Sequence, residues 1–192
     1  FSIILPTLGY SFGYLIFLNV ILNKVPVVAG WNFNSMLLIF AVEQLSYYLS
    51  WILYRESLYE FTLAVRNGNF NSIMKLPFDQ RFITSFRKSS LNVVIPGLFT
   101  VVLMIYALQG IHLSVVMLLL GVFLFICGVV ILYNLIFLVS AISFLTIESK
   151  DLIDLFDEFT SFGRYPGEIF PGPIKFMLLL VVPVLLFAYV PS

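Results

Sequence analysis

Charge is scarce in this chain. Only 10% of its residues are Asp, Glu, Lys or Arg, where a soluble globular domain carries about 25%. With 61% hydrophobic residues and a mean hydropathy of +1.06, that scarcity excludes an ordinary soluble fold and indicates an integral membrane protein. Ten basic residues balance ten acidic ones, so the chain lacks the basic excess of a nucleic-acid binder, and no DNA or RNA partner is expected. Cysteine occurs once, as Cys127 inside an apolar run. Alone it forms no internal disulfide and reads as a small buried hydrophobe. The single histidine, His112, has no second His, Cys or carboxylate close in sequence. Neither a metal-ligand set nor a Ser/His/Asp constellation is therefore visible, and no catalytic residue is assigned. A GxxxxGK[ST] phosphate loop is absent too, and no Gly-Lys pair occurs anywhere, so the chain has no P-loop of its own and no cofactor is expected in it. Starting at Phe1 and ending directly after a hydrophobic segment, it reads as the ordered part of a longer protein.

What is present is a series of long apolar runs. Five hydrophobic segments, about 1–22, 33–54, 91–108, 113–145 and 174–190, suggest an all-α, polytopic helical bundle forming one membrane domain over 1–192, because roughly twenty apolar residues cross a hydrocarbon core. Gly9 and Gly13 form a GxxxG pair on the first segment, which suits a close helix contact or arises by chance. The second carries Glu43 and Gln44 near its middle. Acidic side chains at that depth face the bundle or a wet cavity, and they serve a transport path or an interhelical hydrogen bond. In the third, Pro96 and Gly97 suggest a kink. The fourth is too long for one untilted crossing, and Asn134, Ser140 and Ser143 give it a polar side.

The polar gap between the second and third segments sets the orientation. Residues 55–88 hold six of the ten basic residues, Arg55, Arg66, Lys75, Arg81, Arg87 and Lys88, and short Lys/Arg-rich loops stay in the cytoplasm. No breaker appears before Gly68, so the second helix is expected to run on to about Val65. Gly68, flanked by Asn67 and Asn69, should end it in a left-handed cap. A short helix over 71–75 can follow, stopped by Pro77. The result is a stiff helix, a sharp corner and a short crosswise helix. Arg66, Asn67, Asn69 and Asn71 would form its exposed ends, and Phe70, Ile73, Met74 and Phe78 its apolar anchors. A plain solvated loop is the alternative reading.

Residues 146–164 reverse the charge balance, with Glu148, Asp151, Asp154, Asp157 and Glu158 against Lys150 and Arg164. Leu152, Leu155, Phe156, Phe159 and Phe162 recur at helical spacing, so an amphipathic helix is expected. Hydropathy alone lays it along the cytoplasmic surface. The last segment, 174–190, is short and broken by Pro183, which fits either a span or a re-entrant element.

Two stretches carry a family resemblance. Val65, Arg66, Gly68, Asn71, Ile73, Met74, Lys75, Pro77 and Phe78 resemble the IRxGxxDxLLxRPL signature of a bacterial family of ATP-binding-cassette (ABC) exporter permeases of the type-2 export class. Asn71 replaces the usual Asp and Lys75 the usual Arg. Near the C-terminus, Arg164, Tyr165, Pro166, Ile169, Phe170, Pro171, Pro183, Val184, Phe187, Tyr189 and Pro191 resemble a second signature of the same family. The resemblance implies six spans in the intact protein, a buried fifth helix at 146–164, and a multi-pass location in the bacterial cytoplasmic membrane. It implies that Arg66–Asn71, Ile73–Lys75, Pro77 and Phe78 couple to two cytosolic ABC ATPase subunits, which would hold ATP and Mg, and that a second, identical or paralogous permease pairs with this one among membrane lipid. Glu43, Gln44 and Asn134 are then candidates for the transport path. Tyr165, Pro166, Pro171, Pro183 and Pro191 are candidates for an external gate or re-entrant segment.

Two functions compete at this point. One is the permease subunit of an ABC exporter for a lipid-like, peptide or drug-like substrate, with no enzymatic activity of its own. The other is an ion-coupled secondary transporter or channel that uses Glu43, for which two matching halves would be expected and no internal repeat is evident.

Overall fold

The computed structural model describes residues 4–25, 27–28, 30–71, 75, 77, 79–111, 114–142 and 149–180. Among them the architecture is all-α. Helix α1 spans Ile4–Lys24, α2 Phe33–Ser50, α3 Glu56–Arg66, α4 Gln80–Phe86, α5 Val94–Gln109, α6 Val115–Ala141, α7 Ser149–Ser161 and α8 Gly172–Leu180. Among the described residues four stretches are long and apolar enough to cross a membrane: Leu5–Lys24, Phe33–Arg66, Leu91–Gln109 and Val115–Ala141. The fold is a polytopic membrane bundle.

Helix starts follow the capping rule, in which a short polar side chain accepts from a free N–H of the first turn. Asn32 caps α2 by accepting from the Ser35 amide at 2.9 Å. Asp79 caps α4 through the Phe82 amide at 3.0 Å. Ser114 caps α6 through the Met117 amide at 3.2 Å. Pro96 falls in the first turn of α5, which runs on unbroken from Val94 to Gln109. A proline there removes an N–H that has no intrahelical acceptor in any case, so the kink suggested by the sequence is not needed.

Between α2 and α3 the helix does not stop but widens into a π turn, Trp51–Arg55. The combined rod reaches from Phe33 to Arg66, 34 residues, or about 50 Å at 1.5 Å per residue. Its first half meets α1 and α5 in an apolar core of Tyr14, Leu18, Phe40, Ala41, Leu103 and Ala107, where the Tyr14 and Phe40 rings stack at 4.0 Å. A second cluster, Tyr54, Leu58 and Ile136, joins the other half to α6. Val116, Leu119, Phe123, Ile126 and Val130 of α6 remain exposed. Lipid is the solvent such a surface requires.

Helix α7 departs from the hydropathy reading. Rather than lying along a surface, it packs against α3 and α6, and the 3₁₀ turn that continues it, Phe162–Arg164, packs against α2. The cause is Arg55, whose side chain is only 2% exposed and pairs with Asp157 at 2.5 Å. A guanidinium held among apolar helices requires a counter-charge, so α7 turns a polar position inward. Ile153 is buried with it, whereas Leu155 and Phe162, two members of the expected apolar stripe, stay exposed.

This pair yields a stability prediction. Asp157→Leu alone strands the Arg55 charge and should destabilise the bundle by about 3–5 kcal/mol, whereas Arg55→Met/Asp157→Leu should recover most of the loss. Thermal unfolding of the detergent-solubilised variants measures both.

Candidate functional site

Two places in the fold bear on function, and α2–α3 connects them. The first is the corner after α3. Its backbone is a Schellman cap: the Asn69 amide donates to the Ala64 carbonyl at 2.8 Å and the Gly68 amide to the Val65 carbonyl at 3.1 Å, with Gly68 at φ +71°. Only a residue without Cβ adopts that conformation freely. The corner thereby reverses the chain within three residues, and Phe70 folds back edge-on to Phe61 with ring centres 5.6 Å apart. Arg66, Asn67, Gly68, Asn69, Asn71, Lys75 and Pro77 are exposed. Ile73, Met74 and Phe78 lie outside the described residues.

The second place is a cavity of about 400 Å³ lined by α1, α2, α7 and the turn after it. Glu43, Gln44, Tyr47 and Tyr48 come from α2, Pro6, Thr7 and Tyr10 from α1, and Asp157, Glu158, Thr160, Ser161 and Arg164 from the α7 side. Gln44 is buried and donates from Nε2 to the Glu43 carboxylate at 2.8 Å. Across the cavity, Arg164 lies over the Tyr10 ring at 5.1 Å and donates from Nε to the Ser161 carbonyl at 2.6 Å. Arg55 sits beside the cavity, with its guanidinium 5.1 Å from the Tyr47 ring and 5.7 Å from the Trp51 ring. The chamber thus combines carboxylates, hydroxyls and aromatic faces inside an apolar bundle, a lining able to hold a molecule with both polar and apolar parts.

Beyond the cavity the segment after α7 is tied to α1 and to the residue just before the start of α2. Tyr14 donates through its hydroxyl to the Arg164 carbonyl at 3.2 Å, and Trp31 donates from Nε1 to Glu168 at 3.2 Å. Tyr165 packs onto the α1–α2–α5 core and Pro166 is buried, while Pro171 is exposed just before α8. Pro183 and Pro191 fall outside the described residues, as does His112.

Of the three residues proposed for a path, Glu43 and Gln44 meet in the cavity and Asn134 does not. Asn134 lies exposed on α6, where it accepts from Arg81 at 3.2 Å and donates to the Val130 carbonyl at 2.8 Å. Asp157, Glu158, Arg164 and the three tyrosines were missed as a group. Their one sequence signal was the acid-rich face of 146–164, which is uninterpretable until Arg55 is known to be its partner. Among the described residues no group of His, Cys, Asp and Glu could hold a metal ion.

A family model described as "ABC-2 family transporter protein" matches residues 8–192. The chain belongs to the ABC-2 transporter family. This makes the ABC-2 protein a multi-pass membrane permease subunit of an ABC transporter, a membrane partner of ATPase subunits rather than the ATPase itself. No match is found among curated proteins or solved structures.

The permease corner generates a local test. Gly68→Val forces a β-branched residue to positive φ, at a cost of about 1–3 kcal/mol, and should speed amide exchange at Asn67–Asn69 while the thermal midpoint of the bundle changes little. Gly68→Ala should show a smaller effect, read by hydrogen–deuterium exchange.

Proposed function

We propose that this permease is the membrane part of an exporter in the bacterial cytoplasmic membrane. Two permeases, identical or paralogous, pair within the lipid, and two cytosolic ABC ATPase subunits dock on their basic corners. ATP and magnesium belong to those partners, and this chain supplies no catalytic group. Arg66, Asn67, Asn69, Asn71 and Lys75 present the polar surface of the dock. Phe70 holds it against α3, and Ile73, Met74, Pro77 and Phe78 complete its apolar side. Glu43 and Gln44 line the route of a lipid-like, peptide or drug-like substrate, and Tyr165, Pro166, Pro171, Pro183 and Pro191 belong to its outer gate.

One observation supports this reading above the others. The capped corner at Gly68 is the end of a single rod whose other half carries Glu43 and Gln44 into the cavity. Force applied at the corner therefore reaches the cavity wall without crossing a flexible joint.

The expected outcome is that ATPase subunits carrying a Walker motif co-purify with the chain. Phe70→Asp should abolish that association while leaving the bundle folded, since Phe70 is only partly buried; undiminished co-purification and transport would sink the dock assignment. For Glu43, transport should follow ATP and not a proton gradient. If Glu43→Gln removes gradient-driven uptake in vesicles that contain no ATP, the ion-coupled reading replaces this one.

A further inference from the structure

The rod α2–α3 does not stand alone. Residues 87–90, which lead through the 3₁₀ turn Leu91–Val93 into α5, are fastened along it at successive points. Glu60 takes Arg87 at 3.0 Å and also Lys88. Ser57 and Lys88 exchange two bonds: the Lys88 amide donates to the Ser57 hydroxyl at 2.6 Å, and that hydroxyl donates to the Lys88 carbonyl at 2.9 Å. The next two residues enter the π turn. Ser89 donates from Oγ to the Ile52 carbonyl at 2.7 Å, and the Ser90 amide donates to the Trp51 carbonyl at 3.3 Å. A π turn shifts the backbone register by one residue, which exposes carbonyls to partners outside the helix.

The fastening continues through the bundle. A Cβ on Gly97 would lie 3.6 Å from the Tyr48 Cβ, and one on Gly110 would lie 1.7 Å from Asn34 Nδ2. Contacts at 34 with 110, 48 with 97, 57 with 88 and 60 with 87 describe one antiparallel pairing along the full length of the rod. Among the described residues no other pair of helices packs as extensively as α2 and α5. On the opposite side of the π turn, Arg55 pairs with Asp157 of α7.

From this geometry we infer that α2, α3 and α5 move as one rigid body, and that residues 87–90 are the positioning strap carrying a push on the Gly68 corner into α5. The inference rests on the exporter reading, because it presumes that partners push on the corner. Without the strap, the links from the corner to α5 among the described residues would be the packing of α4 on α3 and the packing of α5 on α2. With it, the stroke enters two antiparallel helices together and displaces the far end of α5, at Gln109, along with the start of α2.

The test uses the chain purified with its ATPase subunits, in a Cys127→Ser background with Gln109→Cys as an exposed reporter. The rate of labelling by a membrane-impermeant maleimide is compared without nucleotide and after trapping with ATP, magnesium and vanadate. Trapping should change the rate in the parent. Ser57→Ala/Glu60→Gln/Ser89→Ala should lose that change while keeping ATPase co-purification, the kcat of ATP hydrolysis and the thermal midpoint. Glu60→Gln/Ser89→Ala, altered only outside the buried core, should weaken it, and Ser89→Thr, which keeps the hydroxyl, should retain it. A triple variant that responds like the parent overturns the strap, as does a parent whose labelling ignores nucleotide. Failure of any ATPase to accompany the parent overturns the exporter reading and the strap with it.

Discussion

A buried guanidinium is the constraint on which much of this structure depends. Arg55 ends the π turn at the junction of α2 and α3, almost wholly removed from solvent. A charge in that setting is tolerable only with a counter-ion and polarisable neighbours. Asp157 supplies the first, and the rings of Tyr47 and Trp51 supply the second. Meeting this requirement draws α7 off the surface and against the rod. Once α7 is there, Glu158, Thr160, Ser161 and Arg164 face Glu43 and Gln44, and the space between them is the cavity. The polar chamber is thus a consequence of how one charge is neutralised.

The legible and illegible parts of the sequence divide along the range of the interactions involved. The long apolar runs needed no tertiary information, since a helix satisfies its own backbone in lipid, and four of them stand as membrane-length helices. The corner was equally local: Gly68 between two asparagines has few other uses, and it takes positive φ. Helix α7 was misplaced by hydropathy because a sum over its residues counts Asp157 as a cost. The term that reverses the sign comes from Arg55, 102 positions away. Asn134 stands apart from the cavity for a different reason. Its polarity was read as a bundle-facing signal, yet it is answered by Arg81 of α4 at an exposed site.

Glycine plays two different roles here, and only one of them could be read from sequence. At Gly68 the requirement is conformational and belongs to the residue itself. At Gly110 the requirement is space, set by the Asn34 side chain on a neighbouring helix. Within α5 the sequence Pro96-Gly97 suggested a kink, but the proline lies where no helical bond is lost and Gly97 packs at ordinary contact distance from Tyr48.

The π turn reconciles two demands that would otherwise conflict. A long helix that stays stiff along its length has little to offer its neighbours as polar attachment points, because the interior of an intact α-helix leaves no backbone group free. Breaking the helix with proline or glycine would give attachment points and lose stiffness. Widening one turn keeps the hydrogen-bonded rod from Phe33 to Arg66 while presenting the Trp51 and Ile52 carbonyls to residues 89 and 90 on one side. On the other side it presents Arg55 to Asp157. The turn is therefore where the rod is joined both to the residues leading into α5 and to α7.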